Sequence, residues 1–138
     1  MNRREFILGS AATTLLIGGG CSAPQPTRST VVAAPAGKLQ GHVVDGVHQF
    51  LGIPYAQPPF GERRWRAPVR RDPWSGIMQA TVYGQICPQT GGLGSGALLE
   101  GEDCLNLNIW TPDPSARDLP VMVWAHGGGQ ISGSGANA

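Results

Sequence analysis

The sequence predicts an α/β fold, of which this 138-residue chain carries an early, β-rich and incomplete part. Three observations lead there. Val121-Met122-Val123-Trp124-Ala125 is apolar without alternation, as in a strand covered on both faces of a parallel or mixed sheet. Residues 105–110 alternate Leu and Asn before Ile109 and Trp110, the period of two that marks a strand with one polar face. No segment shows the apolar spacing of a convincing helix.

Taken in order, the chain opens as an export signal. Arg3-Arg4-Glu5-Phe6-Ile7-Leu8 resembles a twin-arginine motif, and the uncharged stretch 6–20 has the length of a signal-peptide core, too short for a membrane span. An ordinary secretion signal with two arginines is the alternative, and either one sends the mature protein to the periplasm or the extracellular space. Cys21 follows the apolar core and precedes Ser22, where bacterial lipoproteins carry an acylated cysteine; Gly18 departs from that pattern, and cleavage after Ala23 competes. Residues 21–35 then form a Pro/Ser/Thr/Ala-rich tether, extended because Pro24, Pro26 and Pro35 oppose helix. The folded part is assigned to 36–138. Losing residues 1–20 removes Arg3, Arg4 and Glu5, and the remainder is formally neutral. That balance argues against nucleic acid as a partner.

Short β-like segments follow at 31–33, 39–44 and 47–51. Asp45-Gly46 is a hairpin signal, because both central positions of a type I′ turn need positive φ. The run Gly52-Ile53-Pro54-Tyr55-Ala56-Gln57-Pro58-Pro59 fits neither a regular helix nor a central strand and is expected to be a rigid surface segment. Five arginines between 63 and 71 surround Trp65 and Pro68, which suits a solvated or salt-bridged loop better than a nucleic-acid patch. Residues 111–118 are the exposed turn between the strands at 105–110 and 121–125.

His126-Gly127-Gly128-Gly129 directly follows the apolar run. Acyl transfer builds negative charge on a carbonyl oxygen, and fixed N–H donors aimed at it lower the barrier. Glycine suits that task because a Cβ would obstruct the substrate and the unusual backbone angles. A flexible glycine turn is the plainer reading. His126 is expected to be structural, and no metal site is expected, since no other His or carboxylate stands at ligand spacing from it.

Glu102-Asp103-Cys104-Leu105-Asn106-Leu107-Asn108-Ile109 makes a wider resemblance plain. With Phe50–Pro59, Arg64-Trp65, Pro68, Trp74-Ser75-Gly76, Cys87-Pro88-Gln89, Pro120–Trp124 and HGGG in the same order, residues 31–135 resemble the N-terminal part of a type-B carboxylesterase, the carboxylesterase/cholinesterase branch of the α/β-hydrolases. The resemblance implies a carboxylic ester hydrolase acting on small-molecule esters through a serine acyl-enzyme, without a cofactor. It makes Gly128 and Gly129 the oxyanion-hole donors and Gly127 the residue that shapes the turn. It makes Cys87 and Cys104 a disulfide, worth ~3 kcal/mol for a loop of that length; two free thiols are the alternative. It makes Arg64 and Glu102 a buried structural ion pair, whose disruption costs ~3–5 kcal/mol. Gln130 departs from the family, which usually has an aromatic residue after the glycines, so the acyl-pocket lining differs. The Gly-rich loop 90–99 lacks an aromatic residue that would recognise a quaternary ammonium group.

The catalytic triad is not in these residues. No serine has glycines at both −2 and +2, and no histidine follows His126. The 138 residues alone are therefore expected to be inactive, and unstable or insoluble, because the strand at 121–125 would expose an apolar edge. A non-catalytic cholinesterase-like binding protein and a truncated inactive product are the competing readings.

Overall fold

The computed structural model describes residues 28–90 and 99–136. The signal segment, Cys21, the first part of the tether and most of the 90–99 loop lie outside the described residues.

Five strands form one sheet: β1 (Arg28–Ala34), β2 (Gly37–Val44), β3 (Val47–Pro54), β4 (Ile77–Gln79) and β5 (Asn106–Thr111). The path runs β1-β2-β3-β5, and β4 pairs with β2. The first strand starts at Arg28, earlier than expected, so residues 28–34 belong to the sheet and the expected tether to residue 35 is too long. All seven residues of β1 pair antiparallel with β2, from Arg28 opposite Val43 to Ala34 opposite Gly37, and that ladder satisfies a backbone whose side chains alone gave little periodicity.

The Asp45-Gly46 turn forms as expected. Both residues have positive φ, 49° and 80°, and Val44 stands opposite Val47. Beyond Gln49, β3 parts from β2 and β4 takes its place, running parallel to residues 38–40 of β2. Two backbone bonds stitch the exchange: Leu51 N–H donates to Ala80 O at 2.9 Å and Ala80 N–H to Gln40 O at 2.8 Å.

The run expected to be a surface segment from Gly52 onward instead continues β3 to Pro54. Ile53 and Pro54 pair with Leu107 and Asn106 of β5. A register shift between Phe50 and Ile53 makes this possible. Gly52 sits at the shift with φ +65°, and a Cβ there would lie 2.8 Å from Gly84 N and Val82 O. Pro54 is the last residue of the strand, where one missing N–H is tolerated.

Leu39, Phe50, Ile53 and Ala80 form the buried core, packed by Val32, Ala34, Trp74 and Met78. Trp74 is fixed by its indole N–H, which donates to Lys38 O at 2.9 Å. Among the described residues the one helical turn is the 3₁₀ segment Gly61–Arg63.

Residues 121–125 do not form the expected buried strand. They carry no strand assignment, and Met122 and Val123 are 93% and 88% exposed. A strand exists only where a neighbour receives its N–H and C=O groups, and among the described residues no strand pairs with this run. Residues 106–111 do form β5, but its faces are reversed from a simple polar-outside reading: Leu107 and Ile109 are exposed, while Asn106 and Asn108 are half-buried.

Candidate active site

After the apolar run the chain makes a tight turn at the glycines. Gly128 has φ +123° and Gly129 +61°, and Gln130 follows at +63°. A Cβ on Gly128 would collide with Ser132 O, so glycine is required there. The carbonyl of Gly128 accepts from Ile131 N–H and Ser132 N–H, each at 3.2 Å, and from the Ser132 hydroxyl at 3.4 Å. The carbonyl of Gly127 accepts from His126 Nδ1–H at 2.7 Å. That acceptor places the ring proton on Nδ1.

These bonds set the direction of two N–H groups. In a trans peptide the C=O of one residue and the N–H of the next point in opposite directions. Pinning the Gly127 carbonyl to His126 therefore turns the Gly128 N–H away from the imidazole. Pinning the Gly128 carbonyl into the turn sends the Gly129 N–H outward. Among the described residues neither N–H has a protein acceptor, and both glycines are exposed. Two oriented donors next to each other, without internal partners, can hold an anionic oxygen.

Two side-chain amides to which the sequence assigns no role hold this turn to the sheet. Gln89 Oε1 accepts from Gly133 N–H at 2.7 Å, and its Nε2 donates to Gly133 O and to Cys87 O, each at 3.1 Å. Asn108 on β5 donates from Nδ2 to Gly135 O at 3.3 Å and accepts Gly52 N–H at 2.8 Å through Oδ1. Asn106 donates to Gln85 O at 2.9 Å. The Leu/Asn alternation carried the signal: asparagine is poor in strands unless its amide has backbone to hold.

The structure brings the Cys87 and Cys104 sulfurs to 3.0 Å as free thiols, where the resemblance implied a disulfide. Burial, and after it the Cys87 sulfur alongside, pushes the Cys104 thiol up to about 12. Arg64 and Glu102 do pair, at 3.1 Å, but their side chains are 56% and 45% exposed, so the implied burial is corrected. Both stand on loops, Arg64 just after the 3₁₀ turn and Glu102 before β5, and in that setting the pair is worth ~0–1 kcal/mol. Arg71 and Asp103 form a second, longer pair at 3.6 Å, so the arginine-rich stretch is in part the salt-bridged loop expected of it. Among the described residues no three His, Cys, Asp or Glu side chains gather as metal ligands.

Comparison with known proteins places this geometry. Residues 28–138 match the model of the "Carboxylesterase family". The para-nitrobenzyl esterase of Bacillus subtilis (strain 168) is 44% identical over 110 residues, 77% of this chain and 22% of that protein. The phenmedipham hydrolase of Pseudarthrobacter oxydans is 44% identical over 107 residues, 72% of this chain and 22% of its own length. A solved PNB esterase superposes with TM-score 0.70 at 42% identity, over 78% of this chain and 22% of that one. The chain thus spans about a fifth of the length of the relatives it matches.

Proposed function

The chain belongs to the carboxylesterase family, and from that premise we propose that the protein carrying it hydrolyses carboxylic esters through a serine acyl-enzyme. The fold is the N-terminal, β-rich part of an α/β-hydrolase. Gly128 and Gly129 are the oxyanion-hole donors, and Gly127 shapes the turn that aims them. The observation that carries this reading is the pair of pinned carbonyls at Gly127 and Gly128, which leaves the next two N–H groups outward and unpartnered. The nucleophile, histidine and acid come from sequence outside these 138 residues, because no serine here stands in a G-x-S-x-G elbow. The substrates are small-molecule carboxylic esters, with no cofactor in the reaction.

Three finer features belong to the same reading. Cys87 and Cys104 close as a disulfide in the exported protein, supported by the 3.0 Å approach of their sulfurs. Arg3-Arg4 directs export through the twin-arginine route, and Cys21 is the candidate site of lipid attachment, both supported by the sequence pattern.

Full-length protein recovered from the native cell envelope tests the proposal. It is expected to hydrolyse p-nitrophenyl acetate and to take up one equivalent of a fluorophosphonate on a serine beyond residue 138. A folded protein that does neither would overturn the esterase reading in favour of a binding protein of the same fold. Its intact mass, with and without reductant, reports on the disulfide and on lipid at Cys21.

A further inference from the structure

The geometry points to Gln89 as a positioning residue for the oxyanion loop, acting through Gly133 with Asn108 as its second anchor. This inference rests on the ester-hydrolysis reading for its kinetic consequence, though its structural content stands apart from it. The turn at Gly127–Gly129 is exposed and, among the described residues, pairs with no strand, so something outside it must hold it against the sheet. Gln89 does this with both ends of one amide. Its Oε1 takes the Gly133 N–H at 2.7 Å and its Nε2 gives to the Gly133 carbonyl at 3.1 Å. Both polar groups of one backbone residue are thus satisfied by one side chain, as a neighbouring strand would satisfy them. The third bond, from Nε2 to Cys87 O at 3.1 Å, fixes the amide's orientation.

Gly133 is where such a grip reaches the donors. Its φ is +101°, and a Cβ there would collide with Gly127 O and lie 2.7 Å from His126 Nδ1. Gly133 therefore packs directly on the hydrogen bond that turns the Gly128 N–H outward. Two residues further on, Asn108 holds Gly135 O at 3.3 Å while bracing Gly52 at the β3 irregularity. The strand that ends the sheet and the loop that carries Gln89 hold the same short segment, 133–135, from two sides. With that segment fixed, the Gly128 and Gly129 donors are set before substrate arrives, which is the condition under which such donors accelerate acyl transfer.

The test uses the full-length protein and two variants, Gln89→Ala and Gln89→Glu. The second keeps the side-chain volume and the acceptor for Gly133 N–H but loses both donated bonds. Hydrogen exchange of the peptide spanning 127–135 is expected to speed up about tenfold in Gln89→Ala and at least as much in Gln89→Glu, whose carboxylate would face the Gly133 and Cys87 carbonyl oxygens, with peptides of β2 and β3 unchanged. On p-nitrophenyl acetate kcat is expected to fall about tenfold in Gln89→Ala, with KM within twofold. The inhibition constant of a trifluoromethyl ketone, whose adduct carries an oxyanion, is expected to rise by the same factor as kcat/KM falls. A residue that only stabilised the fold would change the melting temperature and leave these two ratios alone. Exchange at 127–135 that is unchanged in both variants would overturn the clamp. Faster exchange with kcat and the inhibition constant unchanged would overturn its positioning role. Wild-type protein without ester hydrolysis would sink the functional reading alone, and the exchange ratio would still decide whether Gln89 holds the loop.

Discussion

Phe50 and Val123 both stand in apolar runs, yet Phe50 is 3% exposed and Val123 88%. The difference is not in the side chains. Residues 50–53 pair with β5 and lie over Leu39 and Ala80, so the sheet supplies both hydrogen-bond partners and cover. Residues 121–125 have the stronger claim to burial by composition, but among the described residues nothing pairs with them. Hydrophobicity states that a segment is to be covered; only a neighbour with a free edge makes it a strand. Between these extremes lies the glycine turn, which among the described residues has no strand partner and is held instead, through Gly133 and Gly135, by two side-chain amides.

The contrast can be broken first in the sheet. Phe50→Ala is expected to lower the stability of the full-length protein by ~3–5 kcal/mol, read as a shifted denaturation midpoint. A loss below ~1 kcal/mol would mean that the Leu39–Phe50–Ile53 cluster is not the core it is taken for. At the turn, Gly128→Ala should reduce kcat by ~10²–10³-fold and also lower that midpoint, because the added Cβ meets Ser132 O and the residue sits at φ +123°. Near-normal turnover in that variant would remove Gly128 from the reaction.

The cysteine pair sharpens the comparison through pH. With both thiols reduced, the folded chain holds the Cys104 proton up to about 12, against 9.0 for the ordinary thiol. Between those values the folded state binds more protons than the unfolded one, so stability falls as pH rises through that window and is flat below it. Cys104→Ser should abolish the slope. Oxidation to the disulfide should abolish it as well.

Smaller effects belong to exposed groups. Arg64→Met is expected to change stability by no more than ~1 kcal/mol, since the Glu102 pair is solvated; a loss of ~3–5 kcal/mol would show that the pair is covered in the full-length protein. Val123→Asp in the 138-residue chain should reduce its aggregation, which light scattering would follow. The same change in the full-length protein should be far more damaging if later sequence covers the run.

Much of this was legible in advance where local chemistry decides structure. Asp45-Gly46 forms its turn because few other dipeptides accept two positive φ angles. Gly128 and Gly129 adopt the left-handed backbone that a glycine run after an apolar segment suggests. The remainder depends on what lies opposite. Arg28 joins a strand because β2 offers it a partner, and Pro54 ends one because the shift at Gly52 brings β5 alongside. Gln89 was visible within a motif but had no role until Gly133, 44 residues later, came to rest against it. The strand asparagines left a trace in the Leu/Asn alternation, whereas Gln89, alone in a loop, stands in no periodic pattern.

A crystal structure of the full-length protein bearing a trifluoromethyl ketone adduct bears most directly on the central claim. The adduct oxygen should lie ~2.7–3.1 Å from both the Gly128 and Gly129 nitrogens, with Gln89 still paired to Gly133. An oxygen held by other donors, with these two N–H groups facing solvent, would contradict it.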